Sequence, residues 1–479
     1  DVNGDGMGDV IVGAWNADTA YVVFGGLNMD PLLDLASLDG LNGFSLTANA
    51  SLKTAGKAAL GFAVASADVN GDGISDIIAG AAQMGPVVSG GACVVFGRAQ
   101  FPATMDLSTD TLDGTNGFII RGRKNSDWTG WSVGAGDLNG DGYSEIILGA
   151  PYGDPVVSGD KWRKEAGQVV VIYGKAGGFP PVIEISELGD QGFTVNGDRD
   201  TEDGNGENDM AGWAVGRSVG DVNNDGLQDF IVGAWSADPT QADSLGKNFS
   251  IKDVGEAYVV FGSRSFPEFL EVSSLDGTNG FALQTAPPGE HTGMSVDISR
   301  DLNGDGISDI IVGATMASPD TGPYAGKVYV VFGKATPFAA ELDLASLNGN
   351  NGFVINGETM WARAGMSVSA AGDVNMDGIA DIIVSSDGTS HSSLRAAAYV
   401  IYGRAGGSFP ALIDLSQSLD REHVGISVHG MDVAGYQGYK IPREPWGGVA
   451  LHKSIAVAGG DVNGDCIGDV VVGTPWAGG

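Results

Sequence analysis

The sequence predicts an all-β fold, a seven-bladed β-propeller of four-stranded antiparallel blades with a calcium loop in each repeat. Three observations predict it: a nine-residue acidic motif recurs seven times, short β-branched runs follow every copy, and no helical hydrophobic period appears. Everything else hangs from that repeat.

The motif is DVNGDGISD at 68–76, with further copies at 1–9, 137–145, 221–229, 301–309, 373–381 and 461–469. Successive starts lie 67, 69, 84, 80, 72 and 88 residues apart, the period of one supersecondary unit with insertions in the longer copies. A single propeller over 1–479 accounts for all seven.

A hard cation of calcium's size needs oxygen ligands at positions one, three and five, a sharp turn at six, a backbone carbonyl at seven and a carboxylate at nine. The first two loops offer Asp1, Asn3, Asp5, the Met7 carbonyl and Asp9, then Asp68, Asn70, Asp72, Ile74 and Asp76. The third and fourth offer Asp137, Asn139, Asp141, Tyr143 and Glu145, then Asp221, Asn223, Asp225, Leu227 and Asp229. The fifth and sixth offer Asp301, Asn303, Asp305, Ile307 and Asp309, then Asp373, Asn375, Asp377, Ile379 and Asp381. The seventh has Asp461, Asn463, Asp465, Ile467 and Asp469, with Cys466 where the other six have glycine at the turn. That cysteine makes the required positive φ costly and marks the seventh site as the weakest. Plain Asx turns would need only one or two such residues each, not four side-chain oxygens at fixed offsets. An EF-hand is excluded, because position twelve holds an apolar residue such as Val12 or Ala79 where that loop needs Glu. The expected cofactor is up to seven Ca²⁺.

Composition agrees with a folded, acidic chain. The 479 residues are 43% hydrophobic, enough for a large core, and the 78 glycines recur at turns between apolar runs. A formal charge of −35 argues against nucleic acid or an anionic membrane as partner. Two cysteines, Cys93 and Cys466, make no disulfide framework. No apolar run spans a bilayer and no signal peptide is visible; Asp1 is already an expected ligand, so the sequence reads as part of a longer chain.

Each element of the repeat follows in order. After a loop comes a run such as VIVGAW at Val10 or IIAGAA at Ile77, then a second such as YVVFGG at Tyr21 or CVVFGR at Cys93. Both have the length and β-branching of buried strands. A turn-rich stretch leads to a shorter strand, NGFSLTA from Asn42 or NGFIIRG from Asn116, and a Gly-led strand such as GFAVASADVN at Gly61 enters the next loop. Four strands per repeat give one antiparallel sheet each, and radial repetition of such sheets is a propeller. The first repeat lacks the strand before its loop and the seventh lacks its last two, so the closure reads as interrupted.

The Gly-aromatic start of the inner strand, the calcium loop and the GAP-like turn together resemble the FG-GAP repeats of the integrin α-subunit head. The recurrent LDGTNGF at Leu112 and Leu275 is similar to bacterial secreted or surface proteins carrying the same repeats. The departures are local: Met294, Met366 and Ile455 replace the aromatic, the sixth repeat has VSS for the GA turn, and Cys466 replaces glycine. The resemblance implies a non-catalytic, extracellular propeller for cell adhesion or ligand recognition, with partners on the face opposite its calcium loops.

Strand alternation puts the variable insertions on that opposite face: 152–166, 198–209, 236–256 and 430–453. A protein or carbohydrate ligand is expected there. Trp128, Trp131, Trp213, Trp361 and Trp446 fall near it and are expected to pack in the core or channel more readily than to stack on sugars. The alternative function is a non-catalytic accessory or substrate-binding propeller of a larger secreted enzyme. Catalysis within this chain is disfavoured, since His291, His391, His423, His429 and His452 form no zinc spacing and no nucleophile elbow occurs.

Overall fold

The computed structural model describes residues 1–479 apart from 28, 30, 31, 54, 55, 86, 87, 109, 159, 160, 199–207, 243–247, 251, 252, 286, 388–395, 407, 408, 417–423, 430–455, 466 and 474–479. Cys466, Trp446 and most of the acidic insertion therefore lie outside the described residues. Among the described residues the regular structure is β-strand and short 3₁₀ turns, with no α-helix.

Every loop copy from the second onward joins two antiparallel strands. In the second repeat Leu60–Ala67 enters the loop and Asp76–Ala81 leaves it, followed outward by Gly91–Val95 and Gly117–Arg121. The next four repeats build the same ladder. The first sheet lacks the strand before its loop, and the last consists only of Ala456–Gly460 and Asp469–Gly473. In the fourth repeat the expected inner strand is shortened to Ala214–Val215, because after Gly216 N donates to Ile231 O the chain bends at Arg217 and Ser218 and pairs again only at Gly220 with Asp229.

The β-branched runs are strands because both faces of each sheet are covered. Side chains alternate across a strand, and the buried residues sort accordingly into separate clusters. Ile77 and Ala79 pack with Phe44 and Leu46 of the preceding sheet, whereas Ile78 packs with Ile146 and Leu148 of the following one. The same sharing joins the third sheet to the fourth, the fourth to the fifth, the fifth to the sixth and the sixth to the seventh. Consecutive sheets are therefore stacked face to face, and the core is distributed between them.

The expectation of four-stranded, purely antiparallel sheets needs correction. Five sheets carry an additional outermost strand, parallel to its neighbour and contributed by the next repeat. Thr104–Leu107 pairs with Gly43–Ala48, Val182–Glu184 with Gly117–Arg121, and Phe269–Glu271 with Gly192–Asn196. Glu341–Asp343 and Leu412–Asp414 do the same for the fourth and fifth sheets. Each is anchored by an apolar residue on the inner side, such as Leu107 or Ile413 at 0% and 1% exposure, and removes an edge that would otherwise present unpaired N–H and C=O groups.

The expected interruption of the ring is confined to the strands. The carbonyl of position one in a loop accepts from position eight of the next: Ser75 N to Asp1 O, Ser144 N to Asp68 O, Ser308 N to Asp221 O, Ala380 N to Asp301 O and Gly468 N to Asp373 O. The series continues from the seventh loop to the first, where Gly8 N lies 2.9 Å from Asp461 O and Gly26 N 3.1 Å from Val462 O. At the third-to-fourth step the Gln228 side chain substitutes, accepting from Asp137 N at 2.9 Å.

Candidate functional site

Each loop is folded by its own carboxylates. In the first, Asp1 accepts from the N–H groups of Gly4, Asp5 and Gly6, Asn3 from Asp5, and Asp5 from Met7. The second loop repeats the pattern with Asp68, Asn70 and Asp72. Positions one, three and five of these loops are thus gathered into one tight turn, and among the described residues the carbonyl of position seven accepts no hydrogen bond. The third loop differs in degree, since the longer Glu145 draws Asn139 Nδ2 to its Oε1 at 3.1 Å, where in the second loop Asn70 Nδ2 is shared between Asp72 at 3.0 Å and Asp76 at 3.5 Å.

Position nine is the keystone. Asp76 is fully buried; its Oδ2 takes the Val69 N–H at 2.9 Å and its Oδ1 the Gly97 N–H at 2.8 Å, at the far end of the hairpin. Asp229, Asp309 and Asp381 do the same with Gly262, Gly333 and Gly403, and all are buried to 0% exposure. Burial drives these acids up, against the lowering effect of the N–H donors and with a smaller push from the carboxylates at positions one and five. Asp76 and Asp229 rise to about 7, Glu145 and Asp309 to about 8, and Asp381 to about 6.

No Lys or Arg among the described residues pairs with these five acids. A buried carboxylate beside two further carboxylates, with no cationic side chain, fits a bound divalent ion in its donor chemistry. In the present arrangement the carboxylates are turned to backbone N–H groups, and among the described residues no three His, Cys, Asp or Glu side chains stand ready around an ion. The fit therefore rests on the donor set and the uncompensated charge.

Sequence reasoning missed a second strained position. Position four also has positive φ, +74° at Gly4, +75° at Gly71 and +72° at Gly140, and glycine at five of seven copies signalled it. A Cβ on Gly71 would sit 2.2 Å from Tyr143 of the next loop, and one on Gly464 2.9 Å from Met7 of the first. Asn224 and Met376 adopt the conformation with side chains, at φ 59° and 61°.

At the opposite strand ends the expected aromatics gather. Trp15, Phe62, Trp131, Trp213, Trp235 and His291 form an arc with successive ring centroids 5.7, 4.3, 4.7, 5.5 and 4.6 Å apart. All are half-buried, so they pack on one another and still present edges to solvent. Trp361 stands apart from the arc, stacked on Tyr324 at 4.3 Å.

Three segments, 60–92, 129–172 and 292–331, match the family model of the FG-GAP repeat, and each contains one loop. This chain carries FG-GAP repeats. It is also similar to integrin alpha pat-2 of Caenorhabditis elegans, 27% identical over 299 residues that cover 60% of this chain and 20% of that one. Integrin alpha-8 of Gallus gallus is 26% identical over 279 residues, covering 57% and 21%. Phosphatidylinositol-glycan-specific phospholipase D of Bos taurus is 27% identical over 245 residues, covering 50% and 24%. The FG-GAP chain thus spans 20%, 21% and 24% of the length of these three relatives. No helix among its described residues is long and apolar enough to cross a membrane.

Two outcomes follow from the loops. In protein stripped of divalent ions, the raised acids bind protons more readily folded than unfolded, where they titrate at 3.8 for Asp and 4.5 for Glu. Their favourable contribution is complete below those values and is lost as pH rises through the folded range of about 6 to 8. Melts in excess chelator should therefore show a lower midpoint near pH 8 than near pH 5; a higher one would mean other groups govern. Met376→Gly should stabilise by up to about 1 kcal/mol, since a Cβ in the left-handed region costs 1–2 kcal/mol and glycine's unfolded entropy returns part of it. Denaturant titration showing a loss of stability would reject that assignment of strain.

Proposed function

We propose that the chain is an extracellular, non-catalytic, calcium-binding seven-bladed β-propeller that serves adhesion or ligand recognition. The observation that carries it is the seven-fold recurrence of the loop, along one side of the stacked sheets, with a ninth-position acid that in five copies is fully buried and has no cationic side chain for a partner among the described residues. Asp1, Asn3, Asp5, the Met7 carbonyl and Asp9, and their equivalents in the six other loops, would hold the ion; the ion would neutralise the buried charge and tie loop to hairpin. Integrin α subunits among the relatives favour a recognition role. Calcium at a hundredfold excess over its Kd should add about 2.7 kcal/mol per occupied site. Thermal melts with calcium and with chelator at near-neutral pH test this, and coincident midpoints would overturn it.

The partner face in this proposal is the one opposite the loops. The half-buried aromatic arc lies there, and strand alternation in the sequence assigns the variable insertions to the same side. The phospholipase D match supports a second reading, an accessory propeller of a larger enzyme. Replacing 198–209 by a short Gly-Ser linker and measuring adhesion to a panel of matrix proteins and immobilised glycans tests the face. Reduced adhesion with an unchanged melt is expected; unchanged adhesion would move the partner site elsewhere.

A further inference from the structure

One repeat has serine where four sisters have a lysine or arginine, and a cavity lies beside it. In each repeat the second strand after the loop ends in Phe-Gly or Tyr-Gly, and the following residue donates its N–H to the preceding loop. Arg98 donates to Val2 O, Lys175 to Val69 O, Ser263 to Leu138 O, Lys334 to Val222 O and Arg404 to Leu302 O, so these five positions are equivalent. A few residues later a phenylalanine stacks on the NGF phenylalanine of the preceding sheet. Phe101, Phe179, Phe266, Phe338 and Phe409 stack at 4.1, 4.3, 4.2, 4.2 and 4.5 Å.

The cation at the equivalent position then covers the ring. Arg98 lies 4.8 Å over Phe101, Lys175 5.0 Å over Phe179 and Lys334 4.6 Å over Phe338. Phe101, Phe179 and Phe338 are 6, 5 and 6% exposed beneath these cations, and Phe409, in the repeat that has Arg404, is 5% exposed. The fourth repeat has Ser263, too short to reach, and Phe266 alone of the five is only half-buried. The neighbouring Arg264 does not replace the cover. Its Nη1 extends to the third loop, 3.9 Å from where a Cβ on Gly140 would stand.

The space left over Phe266 is a cavity of about 440 Å³, within the range of small-ligand sites. Phe266 gives it an aromatic floor beside the covered Phe179, and Lys175 and Arg264 flank it. Asp190 and Gln191 line it from the turn before the third sheet's Gly192–Asn196 strand, and Asn139 and Asp141 of the third loop close one side. Such a site asks three things of a ligand. It needs a flat C–H face for the ring, hydroxyl donors for the carboxylate and amide, and an anionic group for the two cations.

We propose that this cavity binds an acidic saccharide, a pyranose ring carrying a carboxylate. The ring lies on Phe266, its hydroxyls donate to Asp190 and Gln191, and its carboxylate meets Arg264 and Lys175. This site is on the loop side of the sheets, separate from the partner face proposed above, and borders the third loop's Asn139 and Asp141, so the titrations are run at one calcium concentration.

Titration of the full chain with methyl β-D-glucuronide and methyl β-D-glucoside, at one fixed calcium concentration, tests it by calorimetry or ligand-observed NMR. The glucuronide should bind with a Kd of about 1 mM or tighter and the glucoside at least about fivefold more weakly. Ser263→Lys restores the sister contact over Phe266 and should weaken glucuronide binding at least about tenfold without lowering the melting midpoint. Arg264→Ala should erase the preference for the acid. Absence of glucuronide binding at tens of millimolar, about equal binding of the two glycosides, or undiminished binding by folded Ser263→Lys would each overturn the proposal.

Discussion

The structure depends on a carboxylate that should not be comfortable where it is. The ninth residue of the second, fourth, fifth and sixth loops leaves water to hold two backbone N–H groups, one at the loop's second position and one at the Gly that ends the neighbouring strand. Those two bonds fix the loop to its hairpin, but burying a charge this way is costly unless something neutralises it. The apolar clusters between sheets hold under any ionic condition; the loops hold in full only when a proton or a cation answers the charge. Stability is therefore divided spatially, with an unconditional part between the sheets and a conditional part along the loop side.

The same division explains how seven weakly similar repeats act as one body. Face-to-face packing couples each sheet to the next through shared aliphatic side chains. The loop series adds a second coupling through backbone hydrogen bonds, and it crosses from the seventh loop to the first although the strands on either side are incomplete. Where the backbone bond is missing, between the third and fourth loops, a glutamine side chain supplies one, and the uncovered Phe266 stands at that same junction.

Much of this was legible in the sequence, because the loop and the β-branched runs are periodic and each residue type has one evident physical use there. The parallel outer strands were not. Val182–Glu184 or Leu412–Asp414 is three residues long, embedded in a turn-rich connection, and its pairing partner lies a whole repeat earlier. Only the recurrence of an apolar-acidic-apolar triplet ahead of each LDGTNGF-like stretch pointed to them. The left-handed fourth position was visible as glycine in five copies but was obscured by Asn224 and Met376, where the fold imposes the conformation on residues that resist it. Ser263 is conspicuous once the repeats are aligned, yet its meaning needs the stacked Phe266, which no spacing rule reveals. The acidic insertion 198–209 and Cys466 were prominent in the sequence and lie largely or wholly outside the described residues.

The borrowed outer strand also sets an order for synthesis. Gly43–Ala48 is the last strand of its own repeat, but its parallel partner Thr104–Leu107 lies beyond the whole inner half of the next one. A ribosome making the chain from its amino end finishes each sheet only after most of the following repeat has been translated, a lag of several seconds at about 5–20 residues per second. Until then the newest sheet carries an open edge. The nascent chain thus travels with one unfinished seam at its growing end, and the seam moves forward as each repeat seals the one before it.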